Sequence, residues 1–168
     1  EGSALTTLSA QNGGVSGTTI ANVSTPVVNS VINNGGDYGV LFNTNVSVTY
    51  GSPTVTYTGI SAVGDISIAS KTTSGVQAFY NNSNITSTTG NITIAGTVTA
   101  ASANAIYLNS GTISSAGLLS LTGIATGVSA TTINNGVYSG STSVLTSAGG
   151  IAITGTGATG GTNAVVNL

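Results

Sequence analysis

The chain has very few side chains that could carry out acid–base or nucleophilic chemistry. Its charged residues are Glu1, Asp37, Asp65 and Lys71, and its 168 residues include no His and no Cys. Cleavage of a polysaccharide by acid–base catalysis requires carboxylates that lie together, and a Ser/His/Asp set requires a histidine. Asp37 and Asp65 are therefore the internal acids that could act as a catalytic pair.

Neither aspartate occupies the kind of position that catalysis or metal binding would require. Asp65 fills a repeated position that holds Asn91 and Leu118 elsewhere, and a position that accepts leucine does not need a carboxylate. Asp37 follows two glycines, in a turn-forming segment that favours aspartate because its side chain bonds to the nearby backbone. This Gly-Gly-Asp sequence does not recur, whereas calcium-binding solenoid repeats do. We predict no enzyme, no metal site and no cofactor.

Aromatic side chains are the remaining candidates for ligand binding, because they offer a large apolar contact area. Phe79 and Tyr107 occupy corresponding positions, one place before Tyr80 and Leu108. Alternation along a strand then predicts that Phe79 and Tyr107 both point outward and form a small aromatic step. Such a step suits a carbohydrate or, alternatively, only stabilises the sheet.

Five asparagines lie in Asn-x-Ser/Thr sequences, which match the acceptor for N-glycosylation. They are Asn22, Asn45, Asn81, Asn84 and Asn91. Such sequences also arise by chance in a chain this rich in Asn and Thr. They predict glycosylation only where the source organism glycosylates exported proteins.

The composition restricts the partners and the location. Charged residues make up 2% of the chain, whereas about 25% is typical. Nucleic-acid binding needs several Lys or Arg, so we expect no nucleic-acid partner. No apolar run reaches the roughly 18 residues of a membrane helix, which predicts no membrane insertion. The uncharged surface, rich in Ser, Thr and Asn, favours an extracellular or cell-surface location.

Internal repetition is the feature that must position all these residues. Four blocks consist of a glycine, a variable residue and an aliphatic–small–aliphatic triplet. Their glycines are spaced by 26, 27 and 32 residues, at Gly64, Gly90, Gly117 and Gly149. Apolar residues alternate with a period of two, which predicts short strands. Second strands follow at 76–80 and 104–108, then short third strands centred on Val46, Ile85 and Ile113.

Two or three strands in fewer than about 30 residues describe one coil of a solenoid. We therefore predict an all-β fold with little or no α-helix: a β-solenoid, or parallel β-helix, of about six coils of roughly 26–32 residues. Residues 1–168 form a single segment, most regular at 39–154, with an insertion at 55–65.

Stacking of the coils predicts which residues form the core. The inward aliphatic residues of the four blocks would stack in columns: Ile66, Ile68, Ile92, Ile94, Leu119, Leu121, Ile151 and Ile153. Asn43, Asn81 and Asn109 end the second strands, and they would stack as a ladder of side-chain amides.

Two segments resemble a known family. Gly90-Asn-Ile-Thr-Ile-Ala-Gly-Thr-Val-Thr99 and Asn109-Ser-Gly-Thr-Ile-Ser114 resemble the degenerate repeats of filamentous-haemagglutinin-like exoproteins and of autotransporter passenger regions. The resemblance covers about residues 39–154. It implies a right-handed parallel β-helix in a bacterial surface or secreted protein, acting as an adhesin or a biofilm-matrix component.

These observations lead to a structural, extracellular function. We predict a shaft segment of an adhesin- or biofilm-matrix-type exoprotein. The alternative is a self-assembling subunit of an extracellular filament or sheath, joined by strand or end-to-end pairing; a carbohydrate-binding module is a third class. The last eight residues carry no charge and no proline, and the N-terminal segment is uncapped with only Glu1 nearby, so we expect flanking repeats or further copies at open ends. Cell-surface glycans are the other expected partner.

Overall fold

The computed structural model describes residues 60–73, 77–101, 103–127 and 134–158, with side chains at all of these except Ser141; elsewhere it describes only strand backbones. The predicted all-β class is confirmed, since none of the described residues lies in a helix. The β-branched and small residues that alternate along the chain favour extended backbone over helix.

Most strands belong to two parallel sheets. The first sheet has six strands in the order β1 (Thr7–Gln11), β4 (Val27–Ile32), β9 (Ile66–Thr72), β12 (Ile92–Val98), β14 (Leu119–Ala125) and β16 (Ile151–Thr156). The second has nine strands. Seven follow the order β2 (Val15–Ser16), β5 (Tyr38–Phe42), β10 (Gln77–Asn82), β13 (Asn104–Ser115), β11 (Ile85–Ser87), β8 (Ile60–Ala62) and β3 (Ile20–Val23). In addition, β13 pairs with β15 (Val137–Ser147), which pairs with β17 (Val165–Val166).

The chain passes between the two sheets in a regular order. After β9 in the first sheet it forms β10 and β11 in the second, and it then returns to the first sheet as β12, beside β9. The long strand β13 pairs with both β10 and β11, so that Ile106 opposes Phe79 and Ile113 opposes Ile85. Each circuit therefore places its strands parallel to those of the circuit before it.

The repeated glycine-led blocks form four adjacent strands of the first sheet in continuous register. Ile92 opposes Ile66 on one side and Leu119 on the other, and Leu119 opposes Ile151. A second column contains the aliphatic residue two places later in each strand: Ile68, Ile94, Leu121 and Ile153.

A cluster of buried apolar side chains lies between the two sheets. The first sheet contributes Ile66, Ile68, Ile92, Ile94, Leu119 and Leu121, each at most 1% exposed. The second sheet contributes Ile60, Phe79, Ile85, Ile106, Leu108, Ile113 and Val137. Full burial of one such side chain contributes roughly 1.5–3 kcal/mol, so these columns are a major source of stability.

The predicted core is wrong at its last member. Ile151 is 45% exposed, and Ile153 in the same strand is only partly buried. The reason is the position of β16, which ends the first sheet, so that no described strand lies on its far side. An aliphatic residue needs a neighbour above and below it to be fully buried in such a column.

The predicted insertion is also displaced. Ile60 opposes Ile85, so residues 60–62 form the regular third strand of their repeat rather than part of an insertion. The extra residues instead form an antiparallel hairpin of β6 (Val48–Tyr50) and β7 (Val55–Tyr57), which belongs to neither large sheet. Val46, the expected centre of that third strand, lies outside the described residues.

Candidate functional site

Backbones approach very closely at the turns that precede the strands of the first sheet. The amide of Gly117 donates to the carbonyl of Gly90 at 2.8 Å, and the amide of Gly149 donates to that of Gly117 at 3.1 Å. A Cβ atom at Gly90 would overlap the backbone of Gly64, and one at Gly149 would overlap that of Gly117. Glycine recurs in each block because no side chain fits between the stacked turns.

Asp65, the candidate catalytic residue, lies in this stack of turns. Its exposed carboxylate accepts a hydrogen bond from the backbone amide of Asn91 at 2.7 Å through Oδ1. In turn, Oδ1 of Asn91 accepts one from the amide of Leu118 at 2.8 Å. The side chains of Asp65 and Asn91 therefore each bind the next repeat along the stack, and this bond needs an acceptor oxygen rather than a catalytic acid.

Asp65 is the only acidic residue among those that the structure describes. Asp37 lies outside the described residues, as does the Gly-Gly-Asp sequence that contains it. Within the described ranges, no group of three or more His, Cys, Asp or Glu side chains could hold a metal ion.

A column of serine side chains supports the same turns. The Oγ atoms of Ser87, Ser115 and Ser147 donate to the glycine carbonyl of the preceding repeat at 2.7, 2.9 and 2.6 Å, respectively; the acceptors are Gly64, Gly90 and Gly117. We did not predict this column. Its signal is present in the sequence, since each serine stands two or three residues before a block glycine.

The second sheet carries a ladder of tyrosines, one in each of three successive repeats. Tyr107 opposes Tyr80 in β10 and Tyr138 in β15, and the three side chains are half-buried. The ring centroids lie 5.2 Å apart between Tyr80 and Tyr107 and 4.9 Å apart between Tyr107 and Tyr138. Their interplanar angles are 88° and 73°, which is the edge-to-face arrangement that aromatic pairs favour.

An amide pair, Asn82 and Asn109, lies beside this tyrosine ladder. The hydroxyl of Tyr107 donates to Oδ1 of Asn109 at 3.2 Å, and Nδ2 of Asn109 donates to Oδ1 of Asn82 at 3.1 Å. The hydroxyl of Ser110 also donates to Oδ1 of Asn82. The result is a partly exposed surface of aromatic rings, amides and a hydroxyl group.

The predicted aromatic step of Phe79 and Tyr107 is wrong. The residue beside Tyr107 in β10 is Tyr80, one place after Phe79. Phe79 is fully buried and opposes Ile106, whereas Tyr107 opposes Tyr80. Asn109 is an extra residue in β13, because Asn81 opposes Leu108 and Asn82 opposes Ser110. Alignment on the strand-ending asparagines ignores this bulge, and a shift of one residue moves a side chain to the other face.

The same bulge contradicts the predicted ladder of Asn43, Asn81 and Asn109. Asn81 is fully buried, and its Nδ2 donates to the carbonyls of Ser83 at 2.8 Å and Ser110 at 3.1 Å. Asn109 bonds instead to Asn82. Asn43 lies outside the described residues.

The five glycosylation candidates differ in accessibility. Asn91 is exposed, Asn84 is partly buried with its Oδ1 accepting from the amide of Thr112 at 2.9 Å, and Asn81 is inaccessible in the folded chain. The side chain of Asn22 and the whole of Asn45 lie outside the described residues.

Comparison of the chain with protein-family models, curated proteins and solved structures found no match. In the ranges that the structure describes, no helix is long and apolar enough to span a membrane.

Proposed function

We propose that the chain is a parallel β-solenoid that serves as a shaft segment of an extracellular adhesin- or biofilm-matrix-type exoprotein, without enzymatic activity. The observation that carries this proposal is the continuous register of the first sheet, in which Ile66, Ile92, Leu119 and Ile151 occupy one position in four successive strands. A chain whose repeats all stack in one register extends along a single axis.

The pairing pattern supports closure of each repeat into a coil. One circuit supplies one strand to the first sheet and two pairing segments to the second, as in β9, β10 and β11. All these segments run parallel to those of the neighbouring circuits. Most backbone bonds of a circuit are therefore made to adjacent circuits, which is the pattern expected of a solenoid.

The roles of the polar residues support a structural function. Asp65, Asn91 and the serine column are all engaged in hydrogen bonds between successive repeats. On the outward face of the first sheet, one column consists of Ser67, Thr93, Ser120 and Ala152, none of which is charged. Each repeat would lengthen the shaft by about 4.8 Å, the strand spacing in a sheet. The family resemblance of 39–154 and the uncharged composition favour an extracellular exoprotein.

Insertion of extra repeats tests the solenoid. Four tandem copies of residues 92–118 placed after Leu118 should preserve the β-sheet circular dichroism and lengthen the particle by about 19 Å in small-angle X-ray scattering. The matched control inserts the same residues in shuffled order, which should disrupt the fold or add a disordered loop. Equal behaviour of the tandem and shuffled insertions would contradict the solenoid.

Cell labelling tests the location. An antibody against the chain should label intact source cells or the matrix around them. Labelling that appears only after the cells are permeabilised would exclude the extracellular shaft.

A self-assembling filament subunit is the second candidate, and the end of the first sheet favours it. Ile151 in β16 is 45% exposed, because no described strand lies beyond β16 in the first sheet. Analytical ultracentrifugation over a range of concentrations distinguishes the two candidates. A subunit should form a growing series of oligomers that Ile151→Lys suppresses, because an edge lysine opposes strand pairing. A monomer at all concentrations would favour the shaft.

A further inference from the structure

The tyrosine ladder has properties that its structural role does not require. The corresponding register position of β5 holds a leucine, Leu41, opposite Tyr80 of β10, so the repeat does not require an aromatic residue there. The next three repeats instead carry half-buried tyrosines, whose rings remain partly accessible. Each of these repeats therefore presents an aromatic ring at the same point of the surface.

The spacing of the rings suits a polymer that lies along the stacking direction. Successive centroids are 5.2 and 4.9 Å apart, close to one strand spacing and to the length of one sugar ring. Tyr107 is turned by 88° from Tyr80 and by 73° from Tyr138, so the ring orientation changes from one repeat to the next. Consecutive sugars in an extended β-1,4-linked glycan also change orientation from one residue to the next.

The bulge in β13 places hydrogen-bonding groups next to the rings. Asn109, the extra residue, accepts the Tyr107 hydroxyl bond and so orients that ring. The exposed hydroxyl of Thr142 donates to the Asn109 carbonyl at 2.8 Å, which adds a second hydroxyl to the same side. Bulges are common beside binding sites because they redirect a side chain. Amides and hydroxyls form hydrogen bonds with sugar hydroxyls, and the aromatic rings beside them pack against sugar faces.

The charge of this surface indicates which kind of glycan it would bind. The strands that carry the ladder, β10, β13 and β15, contain no charged residue. Asp65 precedes β9 and Lys71 lies within it, in the first sheet. These strands offer no cation to bind a sulfated or uronic-acid polymer, whereas an uncharged polymer needs none.

We propose that the tyrosine ladder, the amide pair and Ser110 form a binding site for an uncharged, extended β-1,4-linked polysaccharide that lies across successive repeats. This site goes beyond the structural role proposed above, and its failure would leave the repeat-insertion result unaffected.

Isothermal titration with cellohexaose and chitohexaose tests the proposal, with maltohexaose as a helically coiled neutral control and heparin hexasaccharide as an anionic control. The chain has six Tyr and no Trp, so ultraviolet difference spectra report on tyrosine directly. At least one β-1,4-linked hexasaccharide should bind and perturb the tyrosine absorbance. The controls should bind more weakly or not at all.

Substitutions at the central ring then locate the site. Tyr107→Leu keeps an apolar residue in a column that holds Leu41 in β5, and it should weaken binding about tenfold, as loss of a central aromatic does at other interfaces. Tyr107→Phe keeps the ring but loses the bond to Asn109, and it should weaken binding less. Thr97→Ala, on β12 of the first sheet, is the matched control and should bind like the wild type.

Three results would overturn the proposal. The first is no binding of either β-1,4-linked hexasaccharide at millimolar concentration. The second is unchanged binding by Tyr107→Leu whose circular dichroism and thermal unfolding match the wild type. The third is binding of heparin alone, abolished by salt, which would indicate an electrostatic site elsewhere.

Discussion

Replacement of isoleucine by alanine at two positions of the same column provides a direct test of the stacked core. Ile92 is 0% exposed and lies between Ile66 and Leu119, whereas Ile151 ends the column and is 45% exposed. Ile92→Ala should lower the free energy of unfolding by about 2–5 kcal/mol, because it removes buried methyl groups and leaves a cavity. Ile151→Ala should lower the free energy of unfolding by only about 1 kcal/mol, because this half-exposed side chain gains roughly half of the transfer free energy on folding and its removal leaves no closed cavity.

Urea unfolding followed by far-ultraviolet circular dichroism measures both losses. A typical domain has about 5–15 kcal/mol of stability, so the two variants should be well separated in their midpoints. Ile92→Val is the conservative control, expected to cost about 0.5–1.5 kcal/mol. Ile92→Asp should prevent folding, because it buries an unpaired charge between two strands. Equal losses for Ile92→Ala and Ile151→Ala would refute the continuous column.

Three further predictions follow from the turns and from the asparagines. Gly117→Ala should destabilise the chain more than Gly150→Ala, because a Cβ at Gly117 would meet the Asn91 side chain and the Gly90 carbonyl, whereas Gly150 has open space and only a positive φ of 100° to accommodate; thermal unfolding would show the order. Asp65→Ala should cost about 1 kcal/mol and Asp65→Asn much less, because Asn keeps the acceptor for the Asn91 amide, and no glycan-cleaving activity should depend on this carboxylate. In a host that glycosylates exported proteins, glycopeptide mass spectrometry should find Asn91 modified and the buried Asn81 unmodified.

Four adjacent strands of the first sheet, β9, β12, β14 and β16, could be predicted from sequence because their repeated block contains no irregularity. From Ile66 to Ile151 every strand begins one variable residue after its glycine, and the register continues without a bulge. A block that is copied with constant internal spacing places its aliphatic residues on one face by alternation alone. The exposure of Ile151 could not be predicted in this way, because it depends on what lies beside β16 rather than on its own block.

The second sheet could not be aligned from sequence because its strands differ in length at the bulge. Asn109 has no partner opposite it in β10, and between Leu108 and Ser110 the pairing of β13 with β15 passes from Ser139 to Thr142. The sequence can be aligned equally well on Asn81 or on Asn82, but only the side chain of Asn82 bonds to that of Asn109. Tyr80, Tyr107 and Tyr138 would have given the correct register as an anchor.

The scarcity of charge follows from the same stacking. In an in-register parallel column, a charged residue that is copied from repeat to repeat faces its own copy at about 4.8 Å, and two like charges at about 4 Å repel by about 1 kcal/mol even in water. A copied Ser instead gains a hydrogen bond, as Ser87 does with the Gly64 carbonyl and Ser115 with the Gly90 carbonyl.

The two charges within the described ranges obey this rule. Lys71 opposes Thr97 on one side and Val31 on the other, and Asp65 is followed in the stack by Asn91. Each charge thus occurs once in its column, beside neutral neighbours. Repetition of one register therefore selects against repeated charge and favours uncharged polar side chains such as amides and hydroxyls.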